Sequence, residues 1–198
     1  EGSKVSWTAP ATEGIYELGV VVRDGKGLSS EKKINLLVNN FSANTGNLIA
    51  HYPLAGNAQD LTENQLHGTP FNVAYVPDFK GNTQEAIYFN GVDSRITVDN
   101  RPVMNPQDGI TVSTWFRAND LPAKETFLLS HGSWQNRWKI SFTPEKKLRW
   151  TVNTTGGIGD LDTDFAMQTD SFYHIATAFD GNLLLIYING ELQSYKQL

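Results

Sequence analysis

The sequence predicts an antiparallel all-β protein, and three observations carry that prediction. Short runs of β-branched and aromatic residues are punctuated by turn formers: Ile87-Tyr88-Phe89 and Ile96-Thr97-Val98 flank Asn90-Gly91, a pair that tolerates positive φ. The same grammar returns over Phe172 to Leu192, where Asp180-Gly181 and then Asn189-Gly190 each turn one strand into the next. No stretch sustains a helical period, and no repeat of solenoid length occurs. Val92, Asp93 and Ser94 lengthen the Asn90-Gly91 connection, so the expectation over 86–98 is a hairpin with a bulge or an extended loop. Asp93 then stands at a sheet rim, where a carboxylate caps a turn or binds a cation.

A chain of 198 residues is long enough to bury a core, as one large sandwich or as a small domain joined to a medium one. Its formal net charge of −5 offers no general attraction to nucleic acid or anionic lipid, and the paired lysines Lys32-Lys33 and Lys146-Lys147 read as solvated edges. There is no cysteine, which removes disulfides, thiolate metal sites and cysteine nucleophiles. No apolar run approaches the length of a membrane span. The opening EGSKVSW reads as a boundary inside a longer protein.

Residues 1–40 form the first expected unit. Val5 to Thr8 reads as a short strand closed by Ala9-Pro10. Tyr16, Leu18, Val20 and Val22 alternate along a second strand, Asp24 to Gly27 is a turn, and Ile34, Leu36 and Val38 line a third. Residues 41–47, within the asparagine-rich run NNFSANTGN, read as a linker. From residue 48 a second unit begins, with a strand over Leu48 to Leu54, a long polar loop, and another strand near His67. Ile110 to Phe116, Thr126 to Ser130, Arg137 to Phe142 and Leu148 to Val152 follow as strands. Thr154 to Gly159 reads as a flexible loop; Asp160 to Asp164 offers a second set of oxygen ligands for a cation, with a solvated acidic loop as the favoured reading.

Two stretches resemble known families. WTAPATEGIYELGVVVRDGKGLSSEKKINLLV is similar to the closing strands of a bacterial Ig-like or PKD-type domain, with Gly14-Ile15-Tyr16 in the place of a tyrosine corner. HYPLAGNAQDLTENQLHGT, AIYFNGVDSRITV, ITVSTWFRA and FYHIATAFDGNLLLIYINGEL, in that order, resemble the concanavalin A-like, laminin-G-type jelly roll common in bacterial surface proteins. The resemblance implies an antiparallel β-sandwich over 48–198 with a partial Ig-like unit before it. Domains of that type continue into a further strand or two, so the expectation is an open sheet edge near Leu198.

The resemblance also implies calcium near a rim loop. The loop GNAQDLTEN offers Asn57, Asp60, Glu63 and Asn64, oxygen ligands of the kind calcium takes, without the spacing of an EF-hand. On that resemblance Asp60 is the expected Ca2+ ligand and Asp93 the second. The alternative is that Asp60 caps a turn.

Carbohydrate sites need an aromatic face beside polar groups. In HGSWQNRW, Trp134 lies among loop formers with Gln135 and Arg137 at hand, and these three are the expected ligand-binding residues. Trp115, Trp138 and Trp150 lie in β-prone runs and read as core. Catalysis finds no support in the sequence. The acids fall in loops and turns instead of alternating along one strand, the histidines at 51, 67, 131 and 174 are scattered, and no nucleophile elbow exists. The reading is therefore a non-catalytic module, exported to the cell surface, the extracellular space or the periplasm, that binds a glycan or a cell-surface glycoprotein. It involves no nucleic acid and no membrane insertion. The alternative is a structural or adhesive spacer that binds protein or nothing.

Overall fold

The structure of the protein is a computed structural model that describes residues 6–12, 14–38, 48–132 and 137–198. The expected linker at 41–47 lies outside them. Packing divides the chain into two compact units, Glu1–Ser42 with Asp108–Leu198, and Ala43–Gln107. In chain order the strands are β1 (Gly14–Arg23), β2 (Ser29–Val38), β3 (Gly68–Phe71), β4 (Ala74–Val76), β5 (Ala86–Tyr88) and β6 (Arg95–Val98). They continue as β7 (Ile110–Phe116), β8 (Thr126–His131), β9 (Trp138–Phe142), β10 (Leu148–Thr154), β11 (Gly157–Asp162), β12 (Tyr173–Phe179), β13 (Leu183–Ile188) and β14 (Glu191–Gln197). Every pairing is antiparallel, and the one helical turn among the described residues is a 3-10 turn at Pro102–Met104. The all-β fold is as the sequence predicts.

In the first unit, eight strands make two sheets. Sheet I has the order β11-β10-β9-β8 and sheet II the order β14-β13-β12-β7. Because side chains alternate across a strand, each sheet offers one face to a shared core. Sheet I contributes Ile140, Phe142, Leu148, Trp150 and Val152; sheet II contributes Ile175, Leu184, Ile186 and Ile188. The Phe116 and Phe142 rings stack with centroids 4.8 Å apart, and Trp150 Nε1 donates to the carbonyl of Ala178 at 3.1 Å. Asn189 and Gly190, at φ 53° and 82°, supply the two left-handed residues of the β13–β14 turn. Gly159 serves packing. A Cβ there would stand 2.6 Å from Leu198 Cδ1 and 3.1 Å from Leu184 Cδ1.

The β1–β2 ribbon belongs to the same unit, running in register from Gly14–Val38 to Arg23–Ser29. Asp24 Oδ1 closes its turn by accepting from the amides of Lys26 and Leu28 at 2.9 and 2.8 Å. Tyr16 donates its hydroxyl to the carbonyl of Thr12, four residues upstream, at 2.9 Å. Lys32 pairs with Glu191 of β14. The expected strand at Val5 to Thr8 is absent over its described residues, since Ser6 to Pro10 join no ladder.

In the second unit β3 pairs with β6 and β4 with β5. The expected hairpin over 86–98 is therefore corrected. β5 and β6 do not pair with each other but form one side of a longer ladder, from which residues 89–94 loop out opposite Asn72 and Val73. Asn90 fastens that loop, its Oδ1 accepting from the amides of Val92, Asp93 and Ser94 at 2.8, 3.1 and 3.2 Å. Leu48 to Leu54 also form no strand. Their backbone partners are loop groups: the amide of His51 goes to Asp60, and the carbonyls of Ile49 and His51 accept from Thr62 and Leu61.

Candidate functional site

Asp60 and Asp93, the expected metal ligands, both lie in the second unit, and they are not brought together in one cluster. Asp60 is buried. Its Oδ1 accepts from the amides of His51 and Thr62 at 2.8 and 3.0 Å, and its Oδ2 accepts from the Thr62 hydroxyl and the Leu66 amide at 2.7 and 2.9 Å. Burial works against its charge, but those donors outweigh burial and hold the carboxyl at about 2. Four donors use the four lone-pair directions of a carboxylate. These surroundings are those of a turn cap and do not fit a calcium shell at Asp60. Asp93 is exposed, and its Oδ1 accepts from the side-chain amides of Asn90 and Asn72 at 2.8 and 2.7 Å, the first-named holding its pKa down most. Among the described residues no group of three or more acidic or histidine side chains is placed to hold a metal.

Of the expected ligand-binding residues, Trp134 and Gln135 lie outside the described residues. Arg137 immediately precedes β9, with φ at 101°, a backbone conformation that non-glycine residues rarely adopt. Its Nη1 donates to Nε2 of the buried His131 at 2.8 Å, which makes His131 the neutral Nδ1–H tautomer. Burial, with the Arg137 charge beside it, lowers the His131 pKa.

A polar constellation of the first unit differs from the sequence expectation. It lies on the outer face of sheet I, opposite the core. Asp160 and Asp162 were expected in a loop, yet they alternate along β11 and point out on one face. The registers align Ser141, Arg149 and Asp162 in one row across β9, β10 and β11, and Lys139, Thr151 and Asp160 in the next. Arg149 binds Asp162 in a two-pronged pair, Nε to Oδ1 and Nη2 to Oδ2, each at 2.7 Å. That pair is the main cause of the raised Arg149 pKa, with burial opposing it and Asp160 adding to it. Lys139 and the Ser141 hydroxyl both donate to Glu125 Oε1. Burial disfavours the Glu125 charge, and these two donors more than offset it, so its carboxyl lies below the usual range. Thr151 donates to Asp160.

Ser141 and Thr151 are buried beneath the longer charged side chains, so the face is continuous and water reaches only its upper groups. Beside it the Phe127 ring is 54% exposed, with the Lys139 ammonium 5.0 Å from its centroid. The face thus presents three carboxylates, the Arg149 guanidinium and an aromatic ring above the buried Lys139 ammonium. The signal in the sequence was the opposed alternation of Arg149-x-Thr151 and Asp160-x-Asp162.

The outer face of sheet II corrects a second expectation. Trp150 is wholly buried and Trp138 packs on the core, as expected, but Trp115 is 48% exposed. It points away from the core beside His174, ring centroids 5.4 Å apart, and His174 Nε2 shares a 2.8 Å hydrogen bond with Ser113 Oγ.

Residues 89–198, more than half of the chain, match the family model Laminin_G_3, described as the Concanavalin A-like lectin/glucanases superfamily. The match contains all eight strands of sheets I and II. No curated protein matches the chain.

Proposed function

The chain belongs to the concanavalin A-like lectin/glucanases superfamily, and from that membership we propose a non-catalytic extracellular recognition module that binds carbohydrate or glycoprotein. The observation that carries the proposal is the outer face of sheet I. An exposed Phe127 ring stands beside hydroxyl-binding groups already fixed in position by Glu125, Arg149 and Asp162. A sugar ring stacks its C–H face on an aromatic while its hydroxyls exchange hydrogen bonds with carboxylates and guanidinium, and fixed partners lower the ordering cost of binding. Arg137, with its strained backbone, and Trp134 and Gln135 are also members of the proposed contact set.

The same geometry supports the non-catalytic reading. Glycoside hydrolysis needs one carboxyl that keeps its proton and a second that is free to attack or to activate water. Here Glu125 is paired with Lys139, and Asp160 and Asp162 are paired with Arg149. In the proposed domain scheme residues 1–40 close an Ig-like unit, for which the Tyr16–Thr12 bond is the support.

The test is a glycan array probed with the whole chain and with Phe127→Ala. Binding by the parent chain is expected, with the loss in the variant of at least one glycan that the parent chain binds. An array on which the parent chain binds nothing overturns the reading. One observation then favours a structural spacer: the charges of the sheet I face satisfy one another with no ligand present.

A further inference from the structure

A groove in the first unit carries polar and aromatic chemistry that the sheet I face does not use. It lies where the base of the β1–β2 ribbon meets β14 and the β12–β13 turn, and its volume is about 510 Å³, within the range of small-ligand sites. Ile15 and Leu37 of the ribbon form one apolar side. Tyr195, 51% exposed, also lines the groove, and Asp180, Asn182 and Gln197 supply its polar groups.

Those polar groups are held in place by the fold. Asp180 Oδ1 accepts from the amides of Asn182 and Leu183 at 2.9 and 2.7 Å, which fixes the turn. The amide of Leu198 donates to the carbonyl of Asn182 at 2.9 Å, and Gln197 Nε2 meets Asn182 Oδ1 at 3.4 Å. Asp180 Oδ2 has no hydrogen-bond partner among the described residues, so it remains an acceptor for a ligand. No lysine or arginine is among the described residues that line the groove. Without a cation, the groove does not suit phosphate, sulfate or an acidic sugar.

We propose that this groove is a saccharide site that takes a neutral sugar unit. The Tyr195 ring packs on the C–H face of the sugar, while Asp180 Oδ2 and the amides of Asn182 and Gln197 bind its hydroxyls. Ile15 and Leu37 form the apolar side. The proposal concerns a separate site and does not rest on the sheet I reading.

The test is an amide-resolved NMR titration of the ¹⁵N-labelled chain with three neutral probes: cellotriose, mannotriose and xylotriose. At least one probe is expected to shift the signals of Ile15, Asn182 and Leu198. Tyr195→Ala and, separately, Gln197→Ala are expected to weaken that binding by at least about tenfold, the scale of losing one aromatic or hydrogen-bonding partner. Both positions are exposed, and thermal unfolding verifies that each variant is folded. Phe127→Ala is expected to leave the shifts unchanged. The proposal is overturned if no probe moves these signals, or if both folded variants bind as the parent does. Binding abolished by Phe127→Ala alone would uphold the sheet I site and reject the groove.

Discussion

The indole nitrogen of Trp150 and the carbonyl of Ala178 join the two sheets of the sandwich through a 3.1 Å hydrogen bond. Trp150 is wholly buried, so the largest side chain of the core also satisfies its only polar atom. Trp150→Ala should cost about 3–5 kcal/mol, the range for truncating a buried large aromatic. Denaturant unfolding checks this; a loss below about 1 kcal/mol would mean that the core closes around the gap.

Asp60 makes stability depend on acid. Its folded pKa of about 2 is below the ordinary value of 3.8, so its contribution is complete above pH 4 and is lost as pH falls from about 4 to 2. The difference corresponds to about 2 kcal/mol. Asp60→Asn should flatten the acid limb of a stability–pH curve. Equal acid sensitivity in the two proteins would refute this account.

Calcium separates the two readings of Asp60. If the carboxylate is a turn cap, unfolding in calcium and in EDTA should give the same midpoint, while Asp60→Ala lowers the midpoint in both. A midpoint raised by calcium in the parent chain and not in Asp60→Ala would restore the metal site, since a ligand bound only to the folded state must stabilise it.

His131 also weakens the fold on acidification, here because the folded state keeps the neutral form. Its folded pKa is lowered, chiefly by burial and also by Arg137, so the folded protein disfavours the imidazolium. Its contribution is therefore intact at neutral pH and declines as pH falls below the unfolded value of about 6.5. Melting followed from pH 7.5 to 5 should show a decline that His131→Gln reduces. Ring signals of His131 that titrate above that value would contradict the assignment.

Thr177 is fully buried on the inner face of β12, and its hydroxyl has no hydrogen-bond partner among the described residues. Valine keeps the shape and removes the unsatisfied group. Thr177→Val should raise stability by about 1 kcal/mol. A destabilised variant would show that the hydroxyl is satisfied after all.

Features encoded by neighbouring residues were the legible ones. Asn189-Gly190 and Asp180-Gly181 specify their turns through their own backbone preferences. The 86–98 stretch was misread because local turn chemistry does not say which strand pairs with which. Asn90 does close a turn, but β5 and β6 find their partners upstream. Asp160 and Asp162 were hidden by Gly156, Gly157 and Gly159, which look like a loop. Gly159 instead leaves room for Leu198, a contact across 39 positions of sequence (198 − 159). Trp115 was misassigned because alternation gives two faces without saying which one is inside.

The register of the β1–β2 ribbon has a mechanical consequence. Gly14 faces Val38 and Arg23 faces Ser29, so the chain enters and leaves the ribbon at the same end. Tension along the polypeptide is therefore borne one cross-strand pair at a time, opening first at Gly14–Val38, and is never shared by the whole ladder in shear. Of the first unit's paired strands, these two should be the first to lengthen under load, as a force–extension trace on the single molecule would register.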